Sequence, residues 1–413
     1  MNIKQSFKWA TLIIFLLIIP LSTPAQITTD GTLGPAQNLS GPDYQIGPDL
    51  GQRLGGNLFH SFKDFNLNSL ESATFSGPNH IQNVISRVTG GNPSNIDGLF
   101  RSTIPGADVY FLNPYGIMFG PNAQLDVQGS FHASTADYLR LGDGGRFDAR
   151  NPSDSILTVA PIESFGFLDN PHGSIQVNGR GVLNESGIPR ALLQVPDGKS
   201  LSLIGGDIHF SQGMDELDLE DYPDDPSPEN VFAWIKRNQR YSQLRASSGR
   251  LNLAAIKGTG EIRLIAEGID NSADQGANIQ LEQTAWFSTS GEGGGNVFIR
   301  AGKFTMDNSI ITARTLGAQD GGVIDIQADS IELDNNSFIS GGTANIGKGT
   351  DIHLSAVESI RILNDSPLDT DSGSAGSIDQ PLGDAGHIQL QAKNIEIRQV
   401  NFRNGSFSAE SRR

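Results

Sequence analysis

The chain of 413 residues contains no cysteine. An exported protein of this composition has no disulfide framework, and zinc sites built on thiolates are excluded as well. The absence of cysteine also suits a chain that crosses a narrow pore unfolded, because a disulfide formed beforehand would close a loop. A compositional accident gives the same count, so both interpretations stay open at this point.

Basic residues are in short supply too. Lys and Arg number 29 against 46 Asp and Glu, which gives a formal net charge of −17. Binding of phosphates needs a basic stripe, so nucleic acid is not an expected partner. The acidity keeps an extended protein soluble and allows loose binding of divalent cations. With 18% charged residues and 49 Gly, the composition favours many short strands joined by turns over a charged helical bundle.

Long hydrophobic runs are confined to the start of the chain. Lys4 and Lys8 precede the apolar stretch Trp9–Ile19, and Thr23–Ala25 offers small residues for cleavage. Eleven apolar residues are too few to span a bilayer. The first 25 residues are therefore predicted to be a signal peptide, so the mature chain is exported.

The carboxyl-terminal half contains a repeat. Four segments open with glycine or a glycine pair and close with alanine, at intervals of 27, 28 and 36 residues between the alanines: Gly294–Ala301, Gly321–Ala328, Gly349–Ala356 and Gly386–Ala392. An insertion around Asp365–Pro381 explains the longest interval. Each opening segment alternates aliphatic and polar residues with a period of two, which is typical of a strand with one buried face.

Two further short strands follow each opening segment. Ser330–Leu333 is an example of the second strand, and Ser309–Ala313 and Ser337–Ser340 are examples of the third. Three short strands per unit of fewer than 30 residues indicate the coil of a parallel β-helix, with Gly and Asn in left-handed or sharp corners. The leucine-rich frame and the Trp-Asp signature of propellers are missing. We therefore expect an all-β, right-handed parallel β-helix with small extra-helical excursions.

One segment departs from the repeat. Met214–Gln243 holds eight acids between Asp215 and Glu229, three prolines, and a capping pattern for a short helix at Ser227–Glu229. Such a segment does not stack as a coil, so we predict an acidic excursion out of the helix body. Upstream strands of the repeat type are predicted at Ser174–Val177, Leu201–Ile204, Asp207–Phe210 and Arg250–Ala254.

The amino-terminal block carries more specific motifs. Asn57–Phe62, Asn83–Gly91 and Ala107–Ala123 occur in order. This block resembles the secretion domain of filamentous-haemagglutinin-type exoproteins of two-partner secretion, over about Ile27–Phe210. The resemblance implies a cap over the first coil, supplied by Ile27–Gly56. It divides the mature chain into a secretion domain at 26–255 and repeat coils at 256–413.

The family's signature turn is Asn-Pro-Asn-Gly followed by Ile, and here it is Asn113, Pro114, Tyr115, Gly116 and Ile117. Tyr115 departs from the family pattern. Pro114 fixes φ at the first central position of the turn, and Gly116 tolerates whatever φ follows. The motif is therefore interpreted as a scaffold turn, and direct contact with a transporter is the alternative. Replacing Asn113 by Ala is expected to cost on the order of 1 kcal/mol, from one hydrogen bond to the turn backbone.

No catalytic or metal-binding constellation is evident. Seven histidines are scattered without metal-ligand spacing and are interpreted as single surface or turn residues: His60, His80, His132, His172, His209, His353 and His387. Neither a nucleophile elbow nor a phosphate loop is present, so no cofactor is expected. The rival class is a polysaccharide lyase or glycosidase, which needs carboxylates on one face. Asp325 with Asp351, or Asp224 with Asp225, are the candidates, and solvated turn carboxylates are the simpler interpretation.

The resemblance implies a function without catalysis. An outer-membrane pore-type transporter would recognise the front block, and the chain would meet the membrane only during export through the periplasm. The expected product is an adhesive protein, secreted or at the cell surface, for a receptor or glycan on a host or neighbouring cell. Ser406–Ala409 is predicted to be the third strand of a coil. No cap follows Glu410, so a shortened or fragmentary chain is expected.

Overall fold

The computed structural model describes residues 26–142, 144–169, 171–179, 193–212, 243–272, 276–282, 285–372, 382–400 and 406–411. Its regular structure there consists of strands and two 3-10 helices, Pro48–Leu50 and Pro152–Asp154. The predicted signal peptide lies outside the described residues, as does the acidic excursion except for Gln243. Within the described residues, no helix is long and apolar enough to cross a membrane.

The strands of the first half are β1 Ile27–Thr29, β2 Asp43–Ile46, β3 Gly51–Leu54, β4 Asn57–Phe65, β5 Ser72–Phe75, β6 Asn83–Val88, β7 Ser94–Ile96, β8 Leu99–Ser102, β9 Asp108–Leu112, β10 Ile117–Phe119, β11 Gln124–Asp126, β12 Phe131–Ser134, β13 Tyr138–Leu141, β14 Gly145–Asp148, β15 Ile162–Phe167, β16 Ile175–Gly179 and β17 Leu193–Gln194.

Those of the second half are β18 Ser200–Gly205, β19 Ile208–Gln212, β20 Gln243–Arg245, β21 Arg250–Ala255, β22 Gly260–Ile265, β23 Gly268–Asn271, β24 Asn278–Glu282, β25 Trp286–Ser288, β26 Asn296–Asp307, β27 Ile310–Thr312, β28 Val323–Asp334, β29 Phe338–Ser340, β30 Asp351–Ile362, β31 Leu368–Asp369, β32 His387–Ala392, β33 Asn394–Ile397 and β34 Ser406–Ser411.

Parallel pairing between equivalent positions of successive repeats dominates the fold. In the repeat region β26, β28, β30 and β32 pair in order, and the same inward position is held by Val297, Ile324, Ile352 and Ile388. All four side chains are buried. Aliphatic residues therefore stack on their equivalents along a shared core, as the period of the sequence predicts. The described chain is all-β with mostly parallel pairing, which is compatible with a β-helix.

The prediction of three separate short strands in each repeat is partly wrong. The first and second predicted strands form one continuous strand of 12 residues in β26, β28 and β30. The alternation shifts phase between the buried Ala328 and Ile331, which looks like a break in the sequence. β26 and β28 pass this step in the same register, whereas β30 has one extra residue there, and pairing resumes beyond the step in both cases. The third strand is separate, as β27, β29 and β31.

The corner before the third strand is built from asparagine. Asn308, Asn336 and Asn364 have φ of 46°, 63° and 46°. Asn side chains also link neighbouring coils there, since Asn364 Nδ2 donates to Asp334 Oδ1 at 2.7 Å. Asn tolerates the left-handed conformation better than other residues with a side chain. The expectation of asparagine at left-handed corners is therefore confirmed.

The upstream strands are confirmed as β16, β18, β19 and β21. Two other expectations need correction. Gln243, the last residue of the predicted excursion, lies in β20 and is buried. Ser406–Ala409 is not a third strand, because β34 pairs with β32 and Phe407 takes the position opposite Ile388. The alternation of this segment matches an opening strand equally well, and the short segment gave no means of choosing.

The amino-terminal segment covers the free edge of the first long strand. β1 pairs antiparallel with one end of β4 and β3 with the other, while β6 pairs parallel on the opposite edge of β4. Exposed strand edges promote unwanted pairing, and antiparallel neighbours remove that edge.

An antiparallel sheet lies against the outside of the long parallel sheet. Its order is β14, β13, β15, β22 and β23, and we call it the overlay sheet. It encloses a second hydrophobic core with outward residues of the parallel strands, which include Phe59, Ile85, Leu112, Ile204 and Phe298. The overlay sheet is not evident from the sequence, because its two parts come from distant segments and contain no repeat.

Candidate functional site

The signature motif forms a tight turn between β9 and β10. The amide of Gly116 donates to the carbonyl of Asn113 at 3.1 Å, and the amide of Tyr115 donates to Asn113 Oδ1 at 3.0 Å. Gly116 has φ of +127°, and a Cβ there would lie 3.3 Å from the carbonyl oxygen of Ser174. The position therefore requires glycine for both its backbone conformation and its close neighbour.

The Asn113 side chain does more than close the turn. Its Nδ2 donates to the carbonyl of Asn92 and to Ser94 Oγ, both at 3.0 Å, which ties the turn to the preceding coil. Asn113 is fully buried and its bond to Ser94 is buried, whereas its bonds to Asn92 and Tyr115 are partly buried. A buried amide with both of its ends satisfied fixes its neighbours strongly, because loss of the bonds leaves buried polar groups unpaired.

The following coil holds the turn from the other side. The amide of Gly173 donates to the carbonyl of Pro114, and the amide of Ile117 donates to the carbonyl of Ser174, both at 3.0 Å. Ile117 is buried and stands between Ser94 and Ile175 in the parallel register. The turn is thus a joint that links three successive coils.

Tyr115 is the half-buried member of an otherwise buried motif. The guanidinium of Arg150 lies 4.9 Å from its ring centroid, within the range of a cation–π contact. Arg150 Nε in turn donates to Asp137 Oδ1 at 2.6 Å, and Asp137 is fully buried. The residue that departs from the family pattern therefore packs on a charge that is held in place by the overlay region. Nothing in the sequence spacing signalled this contact.

A buried arginine joins the cap to the overlay sheet. Arg87 is 1% exposed and its guanidinium lies 4.5 Å from the ring centroid of Phe147. It donates to hydroxyls of the cap, the long sheet and the overlay region, and to one carbonyl: Thr32 Oγ1, Ser61 Oγ, Ser155 Oγ and the carbonyl of Asp148. Burial lowers its pKa to about 10, which leaves it charged at neutral pH. Sequence reasoning quoted this residue within a motif but gave it no role.

Two histidines contradict the expectation of surface or turn positions, because they are buried within strands. His60 and His132 are buried, and burial lowers the pKa of each to about 4. His60 lies under the cap, where Nε2 is 3.1 Å from the carbonyl of Gly47, and His132 Nδ1 lies 2.8 Å from Ser202 Oγ. Cap and overlay sheet bury positions that a bare coil would expose. In the described part of the chain, no three His, Asp or Glu side chains are placed to hold a metal ion.

Asp325 and Asp351, the first carboxylate pair of the enzymatic alternative, each form an ion pair with a different basic side chain. Asp325 Oδ2 lies 2.6 Å from Arg300 Nη2, and Asp351 Oδ2 lies 3.1 Å from Lys348 Nζ. In the parallel register, the partner of Asp325 is His353. The structure thus does not set the two carboxylates opposite each other. The other pair, Asp224 and Asp225, lies outside the described residues.

Comparison with known proteins identifies the front part of the chain. Residues 25–299, more than half of the chain, match the TPS secretion domain, and the chain belongs to this family of two-partner-secretion exoproteins. A stretch of 129 residues is 27% identical to the heme/hemopexin-binding protein of Haemophilus influenzae. That stretch is 30% of this chain and 14% of the relative. The resemblance read from the amino-terminal motifs is confirmed, and a protein of this family is exported.

Proposed function

We propose that the chain is a non-enzymatic surface adhesin, secreted through the periplasm by an outer-membrane pore-type transporter that recognises its amino-terminal domain. A signal peptide over residues 1–25 would direct the first step. Residues 26–255 would be the secretion domain and residues 256–413 the repeat coils. The family match to residues 25–299 is the observation that carries export.

The parallel pairings support a right-handed β-helix as the form of the exported protein. Such a fold suits export of an unfolded chain, because each coil contacts only its neighbours and can fold as it emerges. The cap over β4 gives the first coil a finished edge, so folding can begin at the amino-terminal end.

The motif turn would serve secretion by ordering three coils rather than by offering side chains to the transporter. Asn113, Pro114, Gly116 and Ile117 are all buried. Each makes its contacts within the chain, so once these coils have folded a partner could reach Tyr115 but not the Asn113 amide. The role of these residues in export is therefore an indirect one in this proposal.

Export is tested by deleting residues 27–139 from the full-length chain, co-expressed with its transporter, and comparing periplasm and medium by immunoblot. The variant is expected to stay in the periplasm. The matched control deletes residues 323–350, which removes one coil and joins equivalent positions, since Val323 is the partner of Asp351. That control is expected in the medium, and undiminished secretion of the 27–139 deletion would refute the proposal.

The separate ion pairs of Asp325 and Asp351 speak against glycoside cleavage by this candidate pair, which would need two cooperating carboxylates. The purified exoprotein is expected to retain labelled cells on a coated surface. Release of new reducing ends from polysaccharides by the same protein would favour the β-helical carbohydrate enzyme instead. The aligned stretch is too small a share of the Haemophilus protein to transfer its ligand to this chain.

A further inference from the structure

Two columns of outward side chains run along the long parallel sheet. One passes from His132 through Ser202 and Asn252 to Phe298 under the overlay sheet, and each of these residues is buried. The register continues the column beyond the overlay sheet as Asp325, His353 and Gln389, which are half-buried or exposed. The second column continues beside it as Gln327, Ser355 and Gln391. The face covered in the front coils is therefore open in the repeat coils, and its outward residues there are polar.

These open columns form a groove of about 410 Å³ across β28, β30 and β32. Its floor holds amide, hydroxyl and imidazole groups from Gln327, His353, Ser355 and Gln389, and the Gln327 Nε2 donates to the Asp325 carboxylate. Amides and hydroxyls can each donate and accept, which is the capacity needed to bind sugar hydroxyls. Equivalent positions recur at each coil, about 4.8 Å apart, so polar side chains of different kinds follow one another along the axis of the stack.

A β-bulge supplies an apolar wall. Ala328 pairs with Ala356 and Ser330 with Ser359, so Val357 and Glu358 together stand opposite the single residue Asp329. Val357 lines the groove and is 57% exposed, so it presents an apolar surface beside the polar side chains. Bulges re-aim side chains and occur preferentially next to functional sites. An apolar wall beside hydrogen-bonding groups matches a sugar ring, which has a C–H face and a hydroxyl edge.

The charges favour an uncharged ligand. Asp325 is the carboxylate of the groove lining, and Arg300 neutralises it at 2.6 Å. The whole chain carries −17, which repels polyanions such as uronate polymers. A single neutralised carboxylate also gives the groove no acid and base pair for cleavage.

We propose that this groove binds a neutral oligosaccharide laid along the coils, so that the repeat region holds the receptor site of the exoprotein. The proposal rests on the adhesive function above and gives it a ligand class. The groove lies beyond the matched residues 25–299, so it belongs to this chain's own repeat region rather than to the shared secretion domain.

The test is calorimetric titration of the purified full-length exoprotein with cellohexaose, chitohexaose and maltohexaose, and with hexagalacturonate as the charged comparison. Binding of at least one neutral chain is expected, with weaker or no binding of the uronate. Gln389→Ala and Val357→Asp should each raise the Kd for the bound neutral oligosaccharide at least tenfold. Ser359→Ala, on the same strand as Val357 but outside the groove lining, is the matched control and should leave the Kd unchanged.

Three results would overturn the proposal: no binding of any neutral chain at millimolar concentration, equal binding by the wild type and both groove variants, or cleavage of the bound chain. Circular dichroism of each variant verifies that it is folded. Secretion is measured in parallel, since the groove variants should reach the medium normally. Absence of glycan binding by a normally secreted wild type removes the groove proposal alone, whereas failed secretion of the wild type with its transporter removes the export proposal.

Discussion

Asn113→Ala should destabilise the motif turn far more than a single turn bond suggests. The substitution deletes bonds to the amide of Tyr115, the carbonyl of Asn92 and the hydroxyl of Ser94, of which the last is buried and the other two are partly buried. At about 1 kcal/mol net for each bond, the loss is about 3 kcal/mol, against the 1 kcal/mol expected from one bond. The structure raises the figure because the sequence does not show that the amide also reaches the preceding coil.

Hydrogen exchange measures this loss locally. A cost of about 3 kcal/mol corresponds to roughly 100-fold faster exchange of the protected amides at the turn, such as Tyr115 and Ile117. Asn95→Ala, an exposed asparagine on the neighbouring strand, is the control and should leave the rates unchanged. Ser94→Ala combined with Asn113→Ala should cost less than the sum of the two single changes, because the pair shares one bond.

The same variants decide how the motif serves export. If destabilisation is the cause, secretion of Asn113→Ala should fall in proportion to the loss of protection and recover at lower temperature. A change in exchange below threefold would refute the energetic reasoning. Full protection of the turn amides with abolished secretion would mean that the transporter contacts the turn residues directly, although they are buried in the folded chain.

Three further outcomes are expected. The folded-state pKa of His60 and of His132 is about 4, against 6.5 in the unfolded chain. Each should therefore stabilise the fold above pH 6.5 and lose that contribution, about 3 kcal/mol, as pH falls towards 4. Urea unfolding at pH 7 and pH 4.5 should show this loss of stability, the loss should be smaller in His60→Gln, and an unchanged pH slope in that variant would contradict the prediction. Arg87→Met should cost about 3 kcal/mol by leaving its buried partners unpaired, which thermal unfolding measures and a change below 1 kcal/mol would contradict. Replacing residues 214–242 with a short Gly/Ser linker should leave the circular dichroism and unfolding of the chain unchanged, whereas loss of folding would place that segment in the core.

The repeat coils could be predicted from the sequence because their inward positions obey one rule. Ile324, Ile352 and Ile388 recur at the coil period, and the core they build is made of equivalents stacked on equivalents. Period and alternation are visible in a single sequence. The continuity of each long strand could not be predicted, because a shift of phase looks the same in the sequence whether the strand ends there or continues.

The overlay sheet escaped prediction because its pairing is not periodic. β15 pairs with β22 through Phe165 and Ile262, nearly a hundred residues apart. One signal was present in the front strands, where Leu58 with Phe59 and Val84 with Ile85 place apolar residues on both faces. Strands buried on both faces show such continuous apolar runs. The doubled pattern shows that something covers the outer face but does not say which segment.

This contrast between faces links the fold to its proposed use. Inward positions of every coil must be apolar, so they are fixed by stacking and carry little information about function. Outward positions differ along the same column, from Phe298 under the overlay sheet to Asp325, His353 and Gln389 in the open groove. A polar residue in the covered part needs a partner inside the protein, as Asn252 finds in Ser202 at 3.0 Å. Where the cover ends, the same column is open to molecules outside the chain, and its polar side chains can select one.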